Sequence, residues 1–260
     1  MKTLPARVWL ASGFLLLMLA PGIGQAACEL AAFVGRHVGM GQGQVSVSGH
    51  TRPAARLYQE QWFADGTLVG QRALRIGKTL EESGYWGTVQ LGPDCTALVE
   101  RSFPADEVWL SQLVLDPETS GGYSLDLSPS SQMTDSLIFQ SGEPCQSGTL
   151  KGVYLSQQIG LSLSRGRWLR NSVIQRERHD GAGHVQGVAP SRYGKRSETV
   201  SYTGTFDVAP NCWGLLSEID SQGVRYHYVV QIDPLARGYW YLQTDPTDLT
   251  VAYLGRIPQP

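Results

Sequence analysis

Apolar and polar residues alternate with a period of two along much of this chain, the pattern of strands that bury one face and wet the other. QVSVS at 44–48 and GLSLS at 160–164 are short runs of it. LYQEQWF at 57–63 leads into Ala64-Asp65-Gly66, and SVIQRERH at 172–179 leads into Asp180-Gly181-Ala182-Gly183, so each reads as a strand entering a hairpin turn. VWLSQLVL at 108–115 turns at Asp116-Pro117 and returns through YSLDL at 123–127. VRYHYVVQI at 224–232 likewise turns at Asp233-Pro234 and returns through YWYL at 239–242. Beyond the N-terminal leader no stretch carries a helical stripe. The pattern predicts about seven or eight short strands in each half of the chain, the size at which an antiparallel sheet closes into a barrel and removes its own edges.

The two Asp-Pro turns lie 117 residues apart. At that offset, with no gap, GTVQLGPDC at 87–95 becomes GTFDVAPNC at 204–212, and Cys28 meets Cys145. Gly35, Glu60, Gly66, Gly70, Arg75, Tyr85 and Asp116-Pro117 also find identical partners. Most of the identities are Gly, Pro and Asp, the residues that bends require because they tolerate positive φ or pre-set it. The chain is an internal duplication of one turn-rich fold, with a period far too long for a solenoid. The expected domains are a signal peptide at 1–26 and barrel repeats at 27–141 and 142–260.

The leader supplies the compartment. Lys2 and Arg7 precede an apolar run from Val8 to Ala20, and small residues Gly24 and Ala26 precede the expected cut. That is the layout of a secretory signal, too short to span a bilayer. The formal net charge of −2 becomes −4 once Lys2 and Arg7 leave. Without a basic field, nucleic acid is not expected as a partner, and no later apolar run suggests a transmembrane segment. A secreted or periplasmic protein follows, and Cys28, Cys95, Cys145 and Cys212 are expected as disulfides. Pairing Cys28 with Cys95 and Cys145 with Cys212 treats both copies alike and keeps each loop local; Cys28 with Cys212 and Cys95 with Cys145 also respects the symmetry.

A cysteine ahead of the first strand, a glycine near its start (Gly35, Gly152), an Asp-Gly turn and then GTxxxxPxC resemble the small secreted bacterial barrels of the calycin, lipocalin-like kind, twice over nearly all of the mature chain. The resemblance implies an all-β fold of two tandem antiparallel calycin-like β-barrels, and a non-catalytic binding protein with a calyx for a small apolar or aromatic ligand. Allene oxide cyclase-like barrels are similar in size, so a cyclase or isomerase is an alternative. A packed-barrel interaction module binding protein or glycan is another.

Catalytic motifs are scarce. G-x-S-x-G, H-E-x-x-H and phosphate-binding glycine loops are absent from the sequence, and no cofactor is expected. His179 and His184 flank the Asp-Gly turn, but Asp and Gly serve turn geometry there and the first copy has no histidine, so no metal is expected. Glu60 and Glu177 are kept at one strand position in both copies. Pointing inward, each is a candidate ligand handle or acid–base group; the favoured reading is a structural ion pair with the equally retained Arg75 and Arg192. Tyr226 and Tyr228 share one strand face, and Tyr239 and Tyr241 share another with Trp240 opposite. These tyrosines are candidate ligand-binding residues of the second barrel.

Overall fold

The computed structural model describes residues 28–257 apart from 105 and 143; the expected signal peptide lies outside the described residues. After one 3-10 turn at Leu30–Phe33, eight strands follow in the first half: β1 (Gly35–Val47), β2 (His50–Trp62), β3 (Thr67–Ile76), β4 (Thr79–Leu91), β5 (Thr96–Ser102), β6 (Val108–Asp116), β7 (Gly121–Asp126) and β8 (Ser131–Gln140). They close in sequence order into an antiparallel barrel. The second half repeats this with β9 (Lys151–Ser164), β10 (Arg167–Asp180), β11 (His184–Tyr193), β12 (Arg196–Val208), β13 (Trp213–Asp220), β14 (Arg225–Ile232) and β15 (Gly238–Gln243), and its last strand is broken into β16 (Asp248–Leu249) and β17 (Val251–Arg256). Strand β9 pairs with β10 on one side and with β16 and β17 on the other, so this barrel closes too. The seams differ. Strands β1 and β8 pair continuously from Arg36↔Gln140 to Val45↔Ser131, whereas β9 meets β17 at Tyr154 and Leu155 and β16 at Leu161 and Ser162, with a gap between.

Several strands run longer than the alternation suggested. Strand β1, GRHVGMGQGQVSV, has thirteen residues, and its next three inward positions after His37 are Gly39, Gly41 and Gly43. A Cβ at Gly39 would overlap the ring of Tyr58, and one at Gly41 the carboxylate of Asp135. The glycines admit large side chains from neighbouring strands directly onto the backbone, and in doing so they erase the apolar half of the pattern.

The twice-written turn has a common geometry. Cys95 Nα–H donates to the Gly92 carbonyl and Cys212 N–H to that of Ala209, at 3.2 and 2.8 Å. Pro and Asx fill the centre, and the cysteines follow at φ 63° and 70°. This is a type I turn closed by a left-handed residue, where glycine is usual. Disulfides Cys28–Cys95 and Cys145–Cys212 anchor both turns to the segments before β1 and β9.

The barrels pack side by side through an apolar contact. Val38, Ala55, Leu57 and Ala73, pointing outward from β1–β3, meet Val229, Trp240, Leu242 and Val251 from β14, β15 and β17. That explains why YWYL does not alternate in hydrophobicity: Tyr239 and Tyr241 face the barrel interior while Trp240 and Leu242 face the other barrel, and all six residues of β15 are buried. Arg75 reaches across, donating to the carbonyls of Thr244 (2.8 Å) and Asp245 (2.9 Å). Gln231 Nε2 donates to Gln140 Oε1, whose own amide donates to the Ile232 carbonyl.

Candidate functional site

The first barrel is filled by compensated charge. Glu60 is fully buried and receives hydrogen bonds from Arg101, Trp62 Nε1 (2.8 Å) and Tyr85 Oη (2.9 Å). Burial raises its pKa, but the charge and hydrogen bonds of Arg101 outweigh burial and hold the carboxyl below the usual range. Nearer the rim, Arg56 grips Asp135 through two nitrogens at 2.8 and 2.7 Å and Asp126 at 3.0 Å. Both guanidiniums stack on the buried Trp109, each 3.9 Å from a ring centroid. Arg72 pairs with Glu107 and stacks on Phe103.

The ion pairs expected for Glu60 with Arg75 and Glu177 with Arg192 do not form. Side chains two apart share a face, so Glu60 points inward with Tyr58 and Trp62, while Arg75 points outward with Ala73. Arg192 is exposed and donates to the Gly194 carbonyl of its own turn. Arg101, absent from the expectation, takes the place of Arg75.

In the second barrel the cations are gone. At the offset of 117, Arg101 is replaced by Glu218, Arg56 by Val173 and Arg72 by Ala189. Glu177 keeps the position of Glu60 and accepts from Tyr202 Oη (2.9 Å) and Tyr239 Oη, with His179 Nε2 at 3.0 Å. Glu218 is buried beside it and its Oε1 has no partner among the described residues. Burial first, and the charge of Glu177 second, push the Glu218 carboxyl well above the usual range. Tyr241 Oη bonds Gln158 and Gln175, and Tyr228 packs edge-on against its ring at 5.2 Å. Tyr226 Oη donates to Asp220 at 3.1 Å.

Where the arginines are missing, a cavity of about 50 Å³ opens inside the barrel. Its walls include Glu198, Glu218, Asp220 and Asp248 and Tyr193, Tyr202, Tyr226 and Tyr228, with no Lys, Arg or His among the lining residues; Glu198 is paired with Arg196 at 2.6 Å. The tyrosines singled out from the sequence thus converge on one interior: Tyr226 and Tyr228 line the cavity, and Tyr239 and Tyr241 lie behind it with Glu177. Glu60 belongs to the other barrel, enclosed by Arg101, Trp62 and Tyr85. His179 and His184 face opposite sides, His179 inward to Glu177 and His184 outward to Asp180. Among the described residues, no group of three or more His, Cys, Asp and Glu is arranged to hold a metal. Glu218 was missed from the sequence because Ser-Glu-Ile-Asp reads as ordinary alternation; its signal was charge reversal against Arg101.

No family model and no curated protein matches the sequence. Among solved structures, the transferrin binding protein B of serogroup B Neisseria meningitidis is similar at 7% identity and a TM-score of 0.34, over 82% of this chain and 67% of that one. A protein of unknown function from Nostoc punctiforme has 11% identity and a TM-score of 0.24, over 88% and 97%. A porin-like protein from Bacteroides uniformis has 10% identity and a TM-score of 0.20, over 84% and 95%. At such TM-scores none of the three fixes a fold or a function for this chain. Among the described residues no helix is long and apolar enough to cross a membrane.

Proposed function

We propose that this is a non-catalytic, extracytoplasmic binding protein whose second barrel holds the ammonium or guanidinium head of a small organic cation, while the first is a solid barrel that braces it. The observation that supports this most is the replacement of Arg101 by Glu218. The first barrel carries its own cation against Glu60; the second keeps the acid, adds another, and opens a cavity beside them. A cation entering there would satisfy the unpartnered Glu218 Oε1 and face tyrosine rings, the two groups that recognise ammonium in a desolvated site.

This ligand class departs from the apolar or aromatic one expected from the sequence. About 50 Å³ accommodates a few waters or a charged head group, far below the ~300–1,000 Å³ of pockets that engulf drug-sized apolar molecules. The two disulfides support an oxidising compartment.

Thermal unfolding in the presence of putrescine, agmatine and phenethylamine, each beside its uncharged alcohol counterpart, tests the reading. An amine at about a hundred times its Kd adds roughly 2.7 kcal/mol of stability, so Tm rises with the amine and not with the alcohol. Equal shifts from alcohols, or shifts that survive in Glu218→Gln, would refute the proposal.

A further inference from the structure

The contact between the two barrels is made by faces that do not correspond. The first barrel contributes β1–β3 and the second contributes β14, β15 and β17. Each barrel therefore retains the counterpart of the face its partner employs, β6–β8 on the first and β9–β11 on the second, where Leu161 and Trp168 toward the ends of β9 and β10 touch the internal contact and the rest of the face does not take part in it.

Both of these faces keep the character of an interface. Leu57, fully buried between the barrels, corresponds to Ile174, which is 58% exposed, and Val38 corresponds to Leu155, which is 45% exposed. On the other side, buried Trp240 and Leu242 correspond to Tyr123 and Leu125, exposed by 74% and 50%. Large apolar side chains grouped on a wet strand face mark a docking surface more often than chance scatter does.

The retained arginine supplies an independent observation. Arg75 donates to the carbonyl of Gly77 in its own turn and, through Nη1 and Nη2, to the carbonyls of Thr244 and Asp245 of the other barrel. Arg192 is held by the matching carbonyl, Gly194, and among the described residues makes no other hydrogen bond. The acceptors that would complete it, by the same offset, are the carbonyls of Leu127 and Ser128 at the end of β7. The duplication thus preserves a cross-barrel arginine twice, though only one copy has a barrel to reach.

We propose that copies of this chain associate head to tail, the β9–β11 face of one copy seating on the β6–β8 face of the next through the pairing that already joins the two barrels within a chain. Because the joined faces differ, the association is heterologous, and it propagates into a ring or a filament rather than stopping at a two-fold dimer. Gln112 and Thr134 stand where the internal contact has Val229 and Val251, so the contact between chains is more polar and weaker than the one within.

Sedimentation velocity on the full mature chain across a broad concentration range tests this, with Tyr123→Asp and Ile174→Asp each closing one face at an exposed position. Wild type should gain mass beyond the dimer as concentration rises, and each variant alone should remain monomeric with an unchanged Tm. An equimolar mixture of the two should form a dimer and nothing larger, since only one competent face of each kind remains, and Arg192→Ala should weaken wild-type association several-fold. A wild type monomeric throughout, a variant that self-associates, or a mixture that stays monomeric would overturn the proposal. Binding of some other protein to these faces, without self-association, would overturn it equally.

Discussion

Replacing Arg101 by Leu removes the cation that neutralises Glu60, and stranding a buried carboxylate in this way costs roughly 3–5 kcal/mol. Chemical denaturation should show that loss, and Glu60→Gln added to Arg101→Leu should recover part of it. Glu218 behaves oppositely. Its raised folded-state pKa means that the native protein keeps a proton the unfolded chain sheds, so stability declines as pH climbs from the ordinary value near 4.5 toward the folded one. Glu218→Gln should therefore raise Tm at neutral pH and leave it nearly unchanged near pH 4; an equal shift at both would show that the proton is not involved. His37 titrates in an acidic window. It is buried with neither ring nitrogen hydrogen-bonded among the described residues, and burial, opposed by Glu60, lowers its pKa from 6.5 to about 4. The unfolded chain takes up this proton first, so stability falls as pH drops from 6.5 toward 4, by roughly 3 kcal/mol in full. Tyr154 stands at the matching position in the second barrel, so His37→Phe should be tolerated and should flatten that part of the Tm–pH curve. At this scale agreement between the copies reports bends and the retained Glu60 and Glu177. The site lay in disagreement, where Arg101, Arg56 and Arg72 give way to Glu218, Val173 and Ala189.

Elements were legible where one face meets water and obscured where both faces are covered. Strand β10 alternates openly because its outer face is solvated, while β15 reads as an unbroken aromatic run because the other barrel covers its outer face. Strand β1 was hidden by the glycines that receive Tyr58 and Asp135. Ion-pair partners were the least legible feature. Assigning Arg75 to Glu60 needed the parity of β2 against β3, and a single residue of misjudged register exchanges inside for outside. Gly39→Ala tests this account of β1: a methyl overlapping the Tyr58 ring in a closely packed interior should cost on the order of 1–3 kcal/mol, read as a fall in the denaturation midpoint. Tolerance without loss would mean that Tyr58 does not rest on that backbone.

For the whole molecule, duplication has produced two barrels of one topology and opposite internal electrostatics. One is neutralised by its own guanidiniums, and the other leaves acids facing a small cavity. The apolar contact and the Arg75 bridge couple them, so Leu57→Arg should split a single unfolding transition into two. The binding account is tested most directly by calorimetric titration of agmatine into the mature protein at neutral pH in two buffers of different ionisation enthalpy. A cation seated against Glu218 lowers that carboxyl's pKa and expels its proton. The account predicts net proton release on agmatine binding, vanishing together with most of the affinity in Glu218→Gln. Binding with no proton release, or binding unchanged in Glu218→Gln, would place the ligand elsewhere and contradict the account.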